Sequence, residues 1–422
     1  MNKRIKSTLI KIEKKPILAV KYLLSTVLIP AVIVMRIIKP IYKIRLGFFS
    51  VDSVGHFALD LGIALSRKEL LDEDTLDLYF FQEKACNSQL SIMAKRYFHI
   101  YTWVEYLYYA NEFIGGIDKL IPQRNISNSS DIDGVLFSSK STLDFLPREI
   151  ESGKNYMKGK GWFEGEKFVC LQVRDSAYFA KNDRNTSKHS YRNSDINSFS
   201  KAIYELIERG YWIVRVGRKA NDRLTIKHDR VIDYAFDNKS SDFLDIWLMA
   251  NCNFCISTGS GTDAVAIIHR KPILFVNYNP ISHSVTHTNS ISIPKHLIWK
   301  KNKKELTLIE HIYHAYAHSN NYNEMGIDLI SLSPEEILDA TIEICDRLNG
   351  EWKDTKDDME RQENFWKIFN NGGKYENSTL NKFSNLQGFV HPNAKIGASF
   401  LRSVPNFLKT SDLSKINRET YN

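Results

Sequence analysis

The sequence CISTGSGTDAVAIIHRK, residues 255–271, decides the fold class of this chain. It starts as an apolar strand, bends through six residues that are all Gly, Ser or Thr, and continues as an apolar helix. The surrounding pattern predicts strands at 167–173, 211–216, 231–234, 253–257 and 272–276, and helices at 196–209, 243–250 and 262–269. Strands that alternate with helices at this spacing form a parallel, doubly wound sheet, which binds ligands beyond the carboxyl ends of its strands.

The first half of the chain repeats this pattern less clearly. It predicts strands at 44–50 and 76–81, a polar loop at 51–56, a helix at 57–71, a long helical zone at 88–113 and a loop at 122–135. Residues 151–166 contain four glycines, which favours a linker between domains. A chain of 422 residues is long enough for two domains. We therefore expect an α/β protein with two doubly wound Rossmann-type domains that face a cleft, at 42–160 and 161–350, and a closing segment at 351–422.

The basic charge of the chain is concentrated at its N-terminus. Residues 1–46 contain eleven Lys or Arg and one acid, a net +10, whereas the whole chain carries +8, so the remainder sums to −2. A nucleic-acid-binding protein carries its basic stripe on the folded domain. The distribution therefore argues against nucleic acid as a partner and favours an anionic membrane surface.

The N-terminal segment, residues 1–41, is predicted to associate with a membrane. Residues 17–35 are apolar apart from Lys21 and a few hydroxyl groups, but the uncharged run at 22–35 has only 14 residues, and Pro30 interrupts it. A spanning helix needs about 20 residues. We expect a monotopic anchor in the cytoplasmic leaflet of the inner membrane. A helix pair packed on the protein itself and a single span at 17–38 remain as alternatives.

The five cysteines and the absence of a cleavable signal peptide indicate a reducing cytoplasm. The motif Cys252-x-x-Cys255 has no second cysteine pair with which to form a zinc site. Asp131-Ile132-Asp133 has the spelling of a metal-binding motif, but nothing in the sequence places it near a ligand. The sequence contains neither of the glycine-rich phosphate or dinucleotide motifs. We therefore expect no cofactor and no metal.

The bend between strand and helix is the strongest candidate site. Small residues let the backbone approach a ligand, and a helix N-terminus offers N–H groups and partial positive charge. These properties predict a diphosphate site formed by Ser257, Thr258, Gly259, Ser260, Gly261, Thr262 and Asp263. Asp263 is also expected to complement the helix dipole, and the alternative for the whole motif is an ordinary tight turn.

Other candidate residues lie at or after the carboxyl ends of predicted strands, and Arg192 and Asn193 precede the predicted cap of the helix at 196–209. Arginine there can form forked contacts with phosphate. The candidates for donor binding are Arg174, Tyr178, Arg192, Asn193, Arg215 and Gly217. Asp175, Asp52 and His56 are candidate catalytic bases. A structural ion pair for Arg174 and Asp175, capping roles for Asp52 and His56, and surface exposure of Arg215 remain as alternatives, and Asp195 is predicted to cap a helix.

Several segments resemble a bacterial family of glycosyltransferases that occurs with surface-polysaccharide and O-antigen genes. They are VGHFALD (54–60), VRDSAY (173–178), YRNSD (191–195), GYWIVRVG (210–217), the long run at 241–265, KPILFVN (271–277) and IGASFLR (396–402). The resemblance covers most of residues 42–402 and implies a GT-B architecture. The segment around Arg174 also distantly resembles the H-x-R segment of fucosyltransferases, but Gln172 stands where that pattern has His. The family implies a class of reaction and not a substrate.

These observations together predict a metal-independent Leloir-type glycosyltransferase that moves a hexosyl or deoxyhexosyl group from a nucleotide sugar to a glycan or lipid-linked acceptor. The C-terminal domain would bind the donor and the N-terminal domain the acceptor. One alternative is a nucleotide-sugar epimerase on the same fold, which needs neither acceptor nor lipid anchor. The other is a non-catalytic membrane-bound scaffold of a polysaccharide assembly complex.

Overall fold

The computed structural model describes residues 17–71, 75–115, 120, 130–175, 190–217, 220–316, 318–371 and 388–409. The chain divides into two compact units. Unit 1 comprises residues 1–129 and 141–144, and unit 2 comprises residues 130–140 and 145–422. Unit 2 therefore begins before the domain boundary expected at residues 160 and 161.

Unit 1 contains a small parallel sheet. Its elements are α1 (Ile17–Ser25), a 3-10 turn (Thr26–Leu28), α2 (Ile29–Ile38), β1 (Lys43–Phe49), α3 (Val54–Leu71), β2 (Thr75–Phe81), α4 (Ser88–Tyr97), β3 (His99–Ile100) and α5 (Val104–Phe113). The strand order is β1–β2–β3, with both pairings parallel. Among the described strands of this unit the order does not reverse, so the doubly wound topology expected here is absent from that part of the chain.

Two local expectations in unit 1 need correction. The loop predicted at 51–56 ends early, because α3 already begins at Val54. The helical zone predicted at 88–113 is broken by β3, because Phe98 adopts an extended conformation (φ −127°, ψ 145°) and ends α4. Pairing of His99 and Ile100 with β2 then takes precedence over helix propensity.

Unit 2 is built around a seven-stranded parallel sheet. Its elements to the end of that sheet's sixth strand are α6 (Val135–Ser138), α7 (Pro147–Lys158), β4 (Phe168–Gln172), α8 (Ser200–Glu208), β5 (Trp212–Arg215), β6 (Val231–Asp233), α9 (Asp242–Asn251), β7 (Phe254–Ser257), α10 (Asp263–Ile268), β8 (Ile273–Tyr278) and β9 (Ser290–Pro294). They are followed by β10 (His296–Trp299), α11 (Leu308–Tyr313), α12 (Ser319–Glu324), β11 (Ile327–Ile330), α13 (Pro334–Asn349), α14 (Lys356–Asn371), β12 (Lys395–Ile396) and α15 (Ala398–Ser403).

The strand order of the large sheet is β12–β9–β8–β7–β4–β5–β6, and every pairing is parallel. The chain thus winds from β4 to one edge, returns, and winds from β7 to the other edge. This is the doubly wound topology that the sequence predicted. Its topological switch point lies between β4 and β7, which is where such sheets bind their ligands.

The two faces of this sheet pack on different helices. Val169 and Leu171 join a core cluster with residues of α8 and α13, whereas Cys170 points to the opposite face and its thiol lies 3.4 Å from the carbonyl oxygen of Leu248 in α9. Successive residues of a strand face opposite sides. Both faces of β4 are therefore covered, and its residues are buried throughout.

The predicted linker at 151–166 is wrong over its first half, because residues 147–158 form α7 and belong to unit 2. Gly153 lies within α7, where a Cβ atom would overlap the indole ring of Trp247. The glycine therefore permits close helix packing instead of marking a flexible segment.

The closing segment completes the sheet. β12 pairs with β9 at the sheet edge, and the Glu343 carboxylate of α13 accepts a hydrogen bond from the Ala398 amide at 2.7 Å, at the start of α15. Phe400 and Phe407 of this segment are buried in the main core of unit 2.

Candidate functional site

The two segments on either side of the switch point carry most of the predicted site. Arg174 and Asp175 follow β4, and residues 258–262 follow β7. The segments are bonded to each other: the Arg174 amide donates to Thr258 Oγ1 at 2.9 Å, and Thr262 Oγ1 donates to Gln172 Oε1 at 2.7 Å. Doubly wound sheets place their ligands at this point.

Part of the bend is internally bonded. The Gly259 amide donates to Ser257 Oγ at 3.0 Å, and the Ser260 amide donates to Asp263 Oδ2 at 2.8 Å. Ser257 Oγ also donates to Asp263 Oδ2, at 2.9 Å. Burial raises the pKa of Asp263 to about 6. Ser257, Thr258 and Asp263 are buried and brace the bend, so the structure places them behind the surface that a ligand would contact.

The outer part of the bend remains accessible. Gly261 is exposed, and Ser260 and Thr262 are half-buried. The amides of Gly261 and Thr262 donate to no residue within the described part of the chain. Because α10 has only six residues, its dipole contributes less than the longer predicted helix would. An anion at this position would depend more on side-chain cations.

Gly259 has a conformation that glycine favours. Its φ is +77°, and a Cβ atom would lie 2.9 Å from the ring of Tyr278 and 3.5 Å from Arg192 Nη2. The Arg192 guanidinium donates to the Gly259 carbonyl oxygen. Arg192 therefore lies against the bend, and its remaining N–H groups donate to no residue that the structure describes.

Lys295 is a further cation in this region that sequence reasoning missed. It directly follows β9, and its Nζ donates to the carbonyl oxygen of Asn193 at 2.6 Å. Lys295 is 4% exposed, and this burial lowers its pKa to about 8. β9, with the sequence SISIP, was not predicted because alternating serines and a terminal proline are weak strand signals. A lysine after an unrecognised strand carried no positional signal.

Asp175 and Gly217 lie near the same edge of the sheet. The Asn221 amide donates to Asp175 Oδ2 at 2.8 Å. Gly217 has φ +118°, and a Cβ atom there would lie 3.5 Å from Gln172 Nε2. Gln172 is itself buried and holds Thr262, so Gly217 allows the chain to pass close to the base of the bend.

Arg215 does not face a ligand surface. It is 2% exposed, its Nη1 donates to the Asp222 carbonyl oxygen and lies 3.4 Å from Asp233 Oδ1, and its guanidinium packs over the Phe236 ring. Neither phosphate binding nor surface exposure fits this position. Arg215 is the last residue of β5 and not the first residue after it, so its side chain is enclosed by neighbouring elements.

The remaining predicted residues have separate outcomes. Asp195 caps the helical segment that follows, accepting from the Asn197 amide at 2.9 Å, as predicted. Asp52 and His56 are exposed and lie in unit 1, with His56 in the first turn of α3. Tyr178 lies outside the described residues.

Within the described residues, no group of three or more His, Cys, Asp or Glu side chains is arranged to hold a metal ion. The Asp131 carboxylate accepts from the amides of Val135 and Leu136 at 3.0 and 2.8 Å, so it caps α6. Cys252 and Cys255 are buried as free thiols, and burial raises the pKa of Cys255 well above its usual value.

No family model and no curated protein matches the sequence. Among solved structures, the chain is similar to ADP-heptose LPS heptosyltransferase II of E. coli, with 13% identity and a TM-score of 0.37 over 59% of this chain and 90% of that one. It is also similar to a family 9 glycosyl transferase from Veillonella parvula, with 11% identity and a TM-score of 0.35 over 60% of this chain and 86% of that one. With TM-scores below 0.5, these matches do not by themselves assign a function.

Proposed function

We propose that this chain is a glycosyltransferase whose unit 2 binds the diphosphate of a nucleotide-sugar donor at the bend formed by residues 258–262. The observation that carries the proposal is the arrangement at the switch point: accessible amides at Gly261 and Thr262, with Arg192 bonded to Gly259 and linked through Asn193 to Lys295. One cation bonded to the bend and a second held behind it by the Asn193 carbonyl suit two linked phosphoryl groups.

The proposed reaction displaces the nucleoside diphosphate from the anomeric carbon of the sugar. The acceptor hydroxyl forms a bond to that carbon as the bond to the diphosphate oxygen breaks, and the hydroxyl proton passes to a base. Negative charge develops on the leaving diphosphate, where Arg192, Lys295 and the bend amides would stabilise it. We propose that this stabilisation operates without a metal ion, and that the acceptor is a glycan or a lipid-linked glycan.

If the reaction inverts the configuration of the anomeric carbon, a general base must accept the hydroxyl proton, and we propose Asp175, Asp52 or His56 for this role. Asp175 lies at the same sheet edge as the bend, whereas Asp52 and His56 lie after β1 in unit 1. Replacing the true base by a side-chain amide that cannot accept the proton, in Asp175→Asn, Asp52→Asn or His56→Gln, is expected to lower kcat by about 10² to 10⁴. The dissociation constant of the nucleoside diphosphate should change little in that variant. A variant with unchanged kcat removes its residue from this role.

The cation site is tested most directly with Arg192→Met. We expect this substitution to weaken nucleoside-diphosphate binding by roughly 30-fold or more, because it removes a charge-assisted contact and releases the Gly259 carbonyl. Calorimetric titration with ADP, GDP, UDP and CDP measures this loss of affinity and also identifies the nucleobase of the donor.

The matched control is Arg230→Met. It removes the same charge beside the amino end of β6, whereas the bend lies at the carboxyl ends of the strands. It should bind as the unmodified protein does. Equal affinity for Arg192→Met and the control would place the ligand elsewhere. Conversion of a free nucleotide sugar to its epimer without an acceptor would favour the epimerase alternative, and no binding of any nucleoside diphosphate would favour the scaffold.

A further inference from the structure

The outward surface of the N-terminal helical segment differs from that of an ordinary surface helix. Helical structure extends over residues 17–38, and Ala19–Ile38 is long and apolar enough to cross a membrane by length and composition. Its exposed side chains recur every three or four residues and include Val20, Leu23, Leu24, Val27, Ile33, Val34 and Ile37. Leu23, Val27 and Ile37 expose 70%, 77% and 69% of their surface. A surface helix of a soluble protein normally turns such a stripe inwards.

The two charged residues within Ala19–Ile38 are turned towards the protein. Lys21 Nζ donates to Glu105 Oε1 at 2.7 Å, and Arg36 Nε donates to Asn111 Oδ1 at 3.0 Å. Arg36 also donates to the Gly115 carbonyl oxygen. The outer face of the segment is therefore apolar without a charge, whereas the inner face is polar at both ends.

The middle of the inner face is packed into unit 1. The Tyr22 ring packs against that of Tyr109 in a tilted arrangement, with ring centroids 4.7 Å apart, and Val32 and Met35 are buried in a core cluster with residues of β1, β2 and α5. This packing agrees with the alternative of a helix pair that rests on the protein itself.

We propose that this outward apolar face docks on the surface of an anionic lipid bilayer. This proposal does not depend on whether the chain transfers a sugar. Charge supports this choice of partner: residues 1–16 contain six Lys or Arg and one Glu, and Lys39 and Lys43 follow the segment. An apolar stripe flanked by cations is suited to a membrane whose headgroups carry negative charge, because burial and electrostatic attraction add.

The segment lies along the membrane and does not cross it. A helix of 20 residues is about 30 Å long, which is sufficient for a span. Its two ends, however, are bonded through Lys21 and Arg36 to α5 and the turn that follows it. A spanning orientation would carry Glu105 and Asn111 into the hydrocarbon, where polar and charged groups are costly. A flat orientation keeps the hydrogen bonds of Lys21 and Arg36 to unit 1 and at the same time buries the exposed apolar side chains in the lipid.

The test measures how the full-length protein sediments with sucrose-loaded vesicles. One set of vesicles is phosphatidylcholine alone, and the other contains about 30% phosphatidylglycerol, which gives the surface a negative charge. We expect strong binding to the anionic vesicles that weakens as salt is raised. Val27→Ser together with Ile37→Ser should lower the partition coefficient roughly tenfold or more, because two exposed apolar side chains no longer enter the lipid. Circular dichroism and the Tm should be unchanged, because both side chains are exposed.

The control is Ile92→Ser with Phe163→Ser, two apolar side chains outside this face that are 51% and 74% exposed. The control should bind vesicles as the unmodified protein does. Equal binding of the 27/37 variant and the control would overturn the proposal. So would equal binding to neutral and anionic vesicles, or a lipid-independent dimer that becomes monomeric in the 27/37 variant, which would make a second copy of the chain the occupant.

The orientation has its own measurement. The chain, with an epitope tag at its N-terminus, is synthesised in the presence of sealed anionic vesicles and then treated with protease. A flat segment leaves the tag outside and fully digested, whereas a segment that crosses the bilayer protects the tag and contradicts the proposal.

Discussion

Replacing Lys295 by methionine is expected to weaken nucleoside-diphosphate binding about 100-fold while leaving the Tm unchanged or higher. The loss of affinity follows from removing a buried positive charge that lies behind Asn193 and would attract the diphosphate through space, an effect of about 2 to 5 kcal/mol in a site of low dielectric. The matched control is Lys271→Met. Lys271 lies beside the amino end of β8, whereas Lys295 follows the carboxyl end of β9. The control should retain full affinity.

The stability of the Lys295→Met variant follows from the cost of burying a cation. Burial lowers the pKa of Lys295 to about 8, compared with about 10.4 for an ordinary lysine. The ammonium form therefore destabilises the ligand-free protein by an amount on the order of 3 kcal/mol at neutral pH. This cost is present below pH 8 and is relieved as the pH rises towards the unfolded-state pKa. Methionine removes the cost but leaves the Asn193 carbonyl without its donor, which offsets part of the gain.

The same pKa predicts how affinity depends on pH. As the pH rises through about 8, Lys295 of the free protein loses its proton, so affinity for ADP or GDP should fall between pH 7 and pH 9. Binding near pH 8 should also take up protons, which calorimetry detects as a dependence on the ionisation enthalpy of the buffer. Lys295→Met should lack both effects. A pH dependence that persists in the variant, or a Tm that falls by many degrees, would assign Lys295 a purely structural role.

The strands and helices at the centre of unit 2 were predictable because their signals are local. Five strands of the large sheet were found from short apolar runs next to helices, and the bend at 258–262 was found from its small residues. The switch point follows from strand order, which no local pattern encodes. A residue that directly follows a parallel strand falls on the carboxyl edge whatever the order, so Arg174 and Asp175 could be placed there without it. Arg192 lies much later in the connection from β4 to α8 and meets the bend through its bond to the Gly259 carbonyl.

The side-chain chemistry was less predictable. Whether an arginine at a strand end faces solvent or the interior depends on what encloses it. Arg215 is enclosed by Asp222, Asp233 and Phe236, three residues that the sequence does not place together. Asp263 is turned inward for a similar reason, since Ser257 and the Ser260 amide bond to it. Lys295 was missed because the preceding strand has a weak sequence signal.

Glycine was the most misleading residue type, and Gly153 shows why. Four glycines between residues 151 and 166 favoured a linker, yet α7 passes through Gly153 with the indole of Trp247 directly against its Cα. Glycine in a helix costs roughly 1 kcal/mol relative to alanine. A helix retains glycine at such a position when a neighbour occupies the space of the Cβ atom, and composition alone cannot distinguish this case from flexibility.

Replacing Gly153 by valine is therefore expected to destabilise unit 2 by about 3 kcal/mol, because the added side chain displaces Trp247 from its buried position. Trp247 also stacks on Phe168 of β4, so the displacement would reach the sheet. Chemical denaturation measures the change, and the Tm should fall by roughly 5 to 10 °C.

Three further substitutions separate overpacking from helix propensity. Gly153→Ala improves helix propensity by roughly 1 kcal/mol but introduces the same Cβ atom, so a net loss of stability requires that overpacking exceeds that gain. Ser152→Ala is the control on the exposed side of α7 and should change stability by less than about 0.5 kcal/mol. In a Trp247→Leu background the smaller side chain makes room, so the cost of Gly153→Val should shrink measurably in a double-mutant cycle. A stabilising Gly153→Ala, or a valine cost that is the same in both backgrounds, would show that the indole does not determine the residue at position 153.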